Sequence, residues 1–468
     1  MPTTSASTGW RALALLVAGA FFMENLDGTI VVTATQRMAR SFGVHPVALN
    51  ITIAAYLLTL AVLIPVSGWV ADRYGARTIF TAAIVVFTVA SGLCAASGSL
   101  GELTAMRVLQ GVGGAMMVPV GRLVVLRATA KADLINAIAY LTWPALAAPM
   151  IAPAIGGALT TYLSWRWIFL VNLPLGVVAL LVALRIVPNL RRDDHRALDW
   201  RGFLLTGVGL VTFVGGLETI TDGTTTWGPI AAALLTGAVV LAIAVRHLRR
   251  SRQPLLDLRV FRIPTFRVTA AGGSCFRMAI GAAPFLLPLL FQEAFGWSAF
   301  KAGLVVIPVF VGNIAIKPLT TPILRRFGFR RTLVVANCAA GATLALCATF
   351  TAGTSLVLIV VDLLVSGVFR SVGFTAYNTI VFADVAQEEM NNANTLVSTI
   401  QQLTMGLGVA IGGLALYAGA PIDRALGVAG GGRGPFEVAF LLVAILPFLA
   451  VVESASLGRQ AGAALITP

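Results

Sequence analysis

The chain has 468 residues, 58% of them hydrophobic and only 11% charged, with a mean hydropathy of +0.90 and a formal net charge of +14. A soluble domain carries about a quarter charged residues, so a soluble enzyme or binding module is excluded. Long unbroken apolar runs, rather than alternating ones, also exclude a membrane barrel. The basic residues are spread over many short connections instead of being gathered on one domain. That argues against nucleic acid as a partner and for the loops of an integral membrane protein.

Runs of about 20 apolar residues, enough to cross a bilayer, recur along the chain. Fourteen helices are expected, at 10–33, 47–71, 78–98, 101–126, 134–160, 166–187, 199–219, 228–247, 266–292, 300–323, 331–352, 354–380, 392–418 and 436–456. The first run is too long for a signal peptide, contains Glu24 and Asp27, and lacks a small-residue cleavage site. It is read as the first span. Placing both termini and the even-to-odd connections in the cytoplasm puts about 23 of the 33 Lys and Arg residues on that side. The predicted fold is an all-α polytopic membrane protein of 14 transmembrane helices, in two six-helix bundles plus an inserted helix pair. Its parts are an N-terminal tail over 1–9, a first bundle over 10–190, the inserted pair over 191–250, a second bundle over 251–456 and a C-terminal tail over 457–468.

Residues 68–78 join the second and third helices and carry Asp72, Arg73 and Arg77 in a connection too short to be a domain. A related basic cluster at 325–331 recurs about 250 residues on, which suggests internal duplication. The second cluster lacks the aspartate. Gly68 and Gly75 fit a tight, closely packed turn. Asp72 is read either as a latch, neutralising arginines and helix N-termini in one conformation and releasing them in another, or as topological anchoring of a short loop.

Glu24 and Asp27 are three residues apart and share a helix face. An ionised carboxylate inside a bilayer is expensive, so exchange of a proton is expected, unless both acids lie hydrated at the outer interface. Arg107, inside the fourth helix, calls for a carboxylate partner, and the first-helix acids are the candidates. In the second half, Arg277, Lys317 and Arg370 lie within apolar helices where Asp362 is the chief fixed acid. Convergence of the three on a cavity with Asn313, Tyr377, Asn378, Gln401 and Gln402 would favour an anionic substrate. The competing reading has Lys317 snorkelling to the surface, an arginine paired with Asp362, and the polar residues only bridging helices. Phe285, Phe291 and Trp143 are read either as lining a cavity for lipophilic drugs or, the favoured reading, as core or lipid contacts.

Cys94, Cys275, Cys338 and Cys347 sit in apolar runs without metal-like spacing and read as small buried hydrophobes. His45, His195 and His247 are scattered, so no metal site is expected. No G-x-x-x-x-G-K-[ST] loop is present. No cofactor is expected, and a proton gradient is the anticipated energy source. No nucleophile–base cluster points to an enzyme.

Four stretches carry a family likeness. They are Leu26-Asp27-Gly28-Thr29-Ile30-Val31, the hinge from Gly68 through Arg77, Arg107-Val108-Leu109-Gln110-Gly111-Val112-Gly113-Gly114-Ala115, and Trp165 through Gly176. In this order and spacing they resemble the major facilitator superfamily, specifically its fourteen-helix drug:H+ antiporter branch. A tighter likeness within that branch runs through 111–122 and 394–414. The resemblance implies two pseudo-symmetric bundles with a midplane substrate site, alternating access, and export of small molecules against proton influx. It also implies roles for Asp27 and Arg107 in proton coupling. The implied partners are a small-molecule substrate, protons and the lipid bilayer of the inner membrane, with a monomer as the working unit. Organic anions such as carboxylates are the alternative substrate class. The helix 5 motif departs from the family pattern: Pro153, Gly156 and Gly157 are kept as a packing motif, while alanine stands at 145, 148 and 152.

Overall fold

The computed structural model describes residues 6–44, 46–188, 197–221, 227–426, 434–458 and 460–465. The helices are α1 (Ala6–Phe42), α2 (Asn50–Tyr74), α3 (Ala76–Ala96), α4 (Leu100–Ala128), α5 (Leu134–Tyr162), α6 (Trp167–Leu170), α7 (Asn172–Ile186), α8 (Trp200–Thr221) and α9 (Trp227–Arg250). They continue with α10 (Pro264–Leu289), α11 (Ala299–Ala315), α12 (Lys317–Ala348), α13 (Leu356–Ile380), α14 (Met390–Leu426) and α15 (Gly434–Ala455). Among the described residues, twelve helices are long and apolar enough to cross a membrane, with α6 and α7 forming one crossing. α5, 29 residues long, and the shorter apolar helix α11 occupy the two remaining places in the predicted order. The path is thus compatible with fourteen crossings. His45, His195 and the first five residues lie outside the described part.

The tenth and eleventh predicted helices are divided differently from the expectation. A break falls at Ile316, between α11 and α12. Pro318 explains it, since proline has no N–H to continue the helical ladder. The helix then resumes and bends at Gly328, whose φ of 73° and ψ of 166° are non-helical. Gly75, between α2 and α3, has φ 90° and ψ 136°. Both lie where a β-carbon is strained, so only glycine turns the chain there cheaply. Two such turns at corresponding points support the duplication read from the two basic clusters.

Contacts divide the chain into two compact units. The first comprises Met1–Gly215, Leu235–Leu258 and Ala386–Thr399; the second comprises Gly216–Leu234, Arg259–Val385 and Ile400–Pro468. The units therefore depart from chain order. The first turns of α14 belong to the first unit and its remainder to the second. The core of the first unit gathers Leu26 and Ile30 of α1, Cys94 of α3, Leu103 of α4, Ala148 and Ala152 of α5, and Phe169 of α6. That of the second gathers Leu287 of α10, Val309 of α11, Leu344 and Cys347 of α12, Leu363 of α13 and Phe440 of α15. Leu181, Leu235, Val239, Val357 and Val452 stay exposed, as suits helices whose outer faces meet lipid. Beyond α15, in the predicted tail, Leu457 and Leu465 are buried rather than trailing free.

Candidate functional site

In the first unit, the three-residue spacing that puts side chains on one helix face recurs on three neighbouring helices. Glu24 and Asp27 lie on α1, Ser91 and Cys94 on α3, and Arg107 and Gln110 on α4. Asn172 opens α7. Together they build a buried polar cluster around Asp27. Arg107 Nη1 donates to Asp27 Oδ2 at 2.5 Å, and both side chains are 0% exposed. Asp27 Oδ1 accepts from Gln110 Nε2 and Asn172 Nδ2, each at 2.9 Å. Gln110 and Asn172 both donate onward to Ser91 Oγ, at 2.8 and 3.3 Å. The Arg107 guanidinium lies 4.2 Å from the Tyr56 ring centroid, where its charge meets the π face. The carboxylate thus has three donors, the condition under which a buried charge is tolerated, while Arg107 Nη2 and Asn172 Oδ1 are buried without a hydrogen-bond partner. The hydrated alternative for Asp27 does not hold.

Glu24 is differently placed. Its Oε2 is buried and has no hydrogen-bond partner, and the same is true of the Tyr56 hydroxyl. Both border the small space left by Gly114: a methyl there would lie 3.2 Å from Tyr56 Oη and 3.8 Å from Glu24 Cδ. Arg122 is the cation electrostatically coupled to Glu24.

At the hinge, Asp72 accepts from Arg127 Nη2 of α4 at 3.2 Å and from Asn391 Nδ2 of α14 at 2.5 Å. Asn391 Nδ2 also donates to Gly68 O at 2.7 Å. A methyl on Gly68 would stand 2.4 Å from Thr395 Oγ1, so only glycine admits the first turns of α14 this closely. Asn394 adds a bond to Pro119 O at 2.8 Å. The hinge arginines serve other partners. Arg73 lies over the Trp69 and Tyr74 rings, and Arg77 donates to Leu184 O at the end of α7.

The helix 5 motif faces α1. Ala148 and Ala152 are fully buried, and a methyl on Gly156 would lie 2.2 Å from Thr33 Oγ1. These three, four residues apart, form a small-residue stripe of the kind that lets membrane helices approach closely. The alanines serve that approach in place of glycines. Gly157 has open space around it, and the Pro153 and Trp143 side chains lie outside the described part.

The second-unit residues have different partners. Arg277 Nη2 and Gln401 Nε2 both donate to Asn378 Oδ1, at 3.2 and 2.6 Å, joining α10, α14 and α13. Lys317 Nζ donates instead to Thr375 Oγ1 at 2.8 Å. Arg370 lines a separate cavity between α10, α11, α12 and α13, whose walls are otherwise mostly Ala, Ile, Leu, Val, Pro and Phe. Tyr377 bridges helices through Asn337 and Ser454, at 2.8 and 2.9 Å. Phe291 is core, stacked on Trp297 at 5.2 Å.

Sequence reasoning missed Gln110, Asn172 and Ser91 around Asp27, and Arg127 and Asn391 around Asp72. Gln110 was within reach, standing three residues from Arg107 on the same helix. The others are single polar residues whose partners lie far along the chain.

Membrane-length helices throughout, duplicated hinge turns and an intramembrane ion pair define a polytopic, internally repeated membrane protein. The family model of the Major Facilitator Superfamily matches residues 13–409, and the chain belongs to that superfamily. It is similar to the MdtD proteins, which carry a multidrug-resistance name. The MdtD of Escherichia coli O6:H1 is 40% identical over 415 residues, covering 88% of this chain and 86% of that one. The MdtD of Cronobacter sakazakii is 40% identical over 407 residues, covering 86% and 85%. Among solved structures, the human organic anion transporter MFSD10 matches with a TM-score of 0.65 at 13% identity, covering 97% of this chain and all of that one. At that identity the likeness speaks for the fold alone.

Proposed function

We propose that the protein is a secondary active transporter of the inner membrane that exports small lipophilic or cationic molecules against proton influx by alternating access. The similarity to MdtD proteins supports the efflux reading. The buried Asp27–Arg107 pair, with Glu24 one turn away on the same helix, supports the coupling. Asp27 already accepts from three donors, so a proton reaching it competes directly with Arg107. Protonation breaks the pair and frees α1 from α4 and α7, which is the differential stabilisation a coupled two-state transporter requires. Glu24, with one oxygen unpartnered, is the group that accepts a proton without first losing a partner. Asp72, bonded to Arg127 and Asn391, acts as the latch of one conformational state. The working unit is a monomer with both termini in the cytoplasm.

The test is ethidium movement in proteoliposomes under an imposed pH gradient. Wild-type protein is expected to drive ethidium uphill. Asp27→Asn is expected to retain downhill exchange and lose uphill movement. Undiminished coupling in that variant removes Asp27 from the mechanism.

A further inference from the structure

Gly75 and Gly328 are separated by the same number of residues as Cys94 and Cys347, so the two cysteines stand at matching places on the third helix of each repeat. Each donates a thiol hydrogen bond to the fourth helix of its own repeat. In the first unit, Cys94 Sγ reaches Gln110 Oε1 at 3.8 Å, beside Arg107. In the second, Cys347 Sγ reaches Asp362 Oδ2 at 3.4 Å. An acid thus accepts the thiol bond that a glutamine accepts in the first repeat.

The surroundings of the two sites differ in a way that matters chemically. Asp27 has three nitrogen donors, one of them a guanidinium. Asp362, 5% exposed, has a single hydrogen bond among the described residues, from a thiol, which is a weak donor. The adjoining cavity is lined by Cys347 of α12 and by Leu363, Ser366 and Arg370 of α13. From α10 and α11 it receives only alanine, isoleucine, proline, leucine, valine and phenylalanine. The one cation lining that cavity, Arg370, is two helical turns along α13 from Asp362, about 12 Å at 1.5 Å per residue. An ionised carboxylate so poorly met inside a bilayer is costly; a neutral acid is not.

We propose that Asp362 is a second proton-binding site, built into the second repeat beside the cysteine that matches Cys94 of the first. Uptake forms one O–H bond on the carboxylate and cancels its charge; release returns the same proton to water. The Cys347 thiol stays protonated and positions the acid. Ser366 and Arg370, at successive turns on the same helix face, line the polar edge of the cavity through which the proton exchanges. This site rests on the transporter reading only for its role in coupling, not for its existence.

The experiment is infrared difference titration of the full-length protein in lipid, following the carbonyl stretch of protonated carboxylic acids as pH is stepped. Asp362→Asn is expected to remove one titrating carboxyl band that Glu24→Gln leaves in place. Asp362→Glu is expected to restore that band at a shifted midpoint, which also shows that the position tolerates substitution. Cys347→Ala is expected to move the midpoint of the same band and of no other. A titration in Asp362→Asn identical to wild type overturns the proposal. The two readings fail separately. If wild-type vesicles show no gradient-driven ethidium movement but the Asp362 band is present, the coupling reading falls and the site stands. If coupling is seen and Asp362→Asn loses no band, the site falls and coupling stands.

Discussion

Among the described residues Arg107 has no charge partner other than Asp27 within bonding distance, which fixes what its removal does. Arg107→Gln leaves Asp27 buried with two neutral donors, and a buried pair broken on one side typically costs about 3–5 kcal/mol. Asp27→Asn alone strands the guanidinium and carries a comparable cost. The double variant removes both charges, so its loss of stability is expected to fall well short of the sum, measured by thermal unfolding in detergent as a double-variant cycle. Asn172→Ala removes one of the three donors to Asp27, with an expected loss of about 1–3 kcal/mol for the acceptor left short. The charged members of this cluster were legible in the sequence because a charge inside an apolar run is rare and expensive. Its neutral members were not, since Asn, Gln and Ser in membrane helices so often only bridge neighbours.

Between helices, the duplicated turns at Gly75 and Gly328 invite a direct test. Gly75→Ala and Gly328→Ala each force a β-carbon into a backbone region it rarely adopts, at a cost of about 1–3 kcal/mol, readable as a lower unfolding temperature. A second clasp joins the start of α8 to the end of α9. Asp199 accepts from Gly202 N at 2.9 Å, His247 Nε2 at 2.8 Å and Leu255 N at 3.2 Å. Burial opposes its charge, but these donors outweigh burial and hold the carboxyl below the ordinary aspartate value. Its folded value being the lower one, the stabilisation is present above the ordinary value. It is lost as pH falls through the folded value. Protection of the Gly202 and Leu255 amides against hydrogen exchange, referred to the intrinsic rate at each pH, is therefore expected to fall on acidification through that window in the wild type. In Asp199→Ala it should be low throughout. The clasp is not legible in the sequence because Asp199 and His247 lie 48 positions apart and meet only once α8 and α9 are placed side by side.

For the molecule as a whole, the charge asymmetry of the loops predicts sidedness. A cysteine placed at Arg250, with Cys338 replaced because it is exposed, is expected to react with a membrane-impermeant thiol reagent in inside-out vesicles and not in intact cells. Labelling from the cell exterior would overturn the topology. The hinge contact also belongs to this scale, because it joins residues over 300 positions apart, Asp72 and Asn391. Asp72→Asn and Asn391→Ala are each expected to slow ethidium export. The pair together should cost less than the sum of the two single changes, since both weaken the bond the two residues share.

By itself the sequence determined the features whose free energy is local. These were the membrane crossings, because about 20 apolar residues are needed to span a bilayer, the glycine turns, and the charges that a bilayer makes conspicuous. The tertiary structure decided every partner. It chose Arg127 and Asn391 for Asp72 over the neighbouring hinge arginines and set the Ala148, Ala152 and Gly156 stripe against α1. It also gave Arg277 and Lys317 different acceptors, Asn378 and Thr375, and placed Cys347 beside Asp362 as Cys94 stands beside Gln110. Each of those choices depends on helix faces meeting across long stretches of chain, and residue type alone does not say which face a neighbour will present.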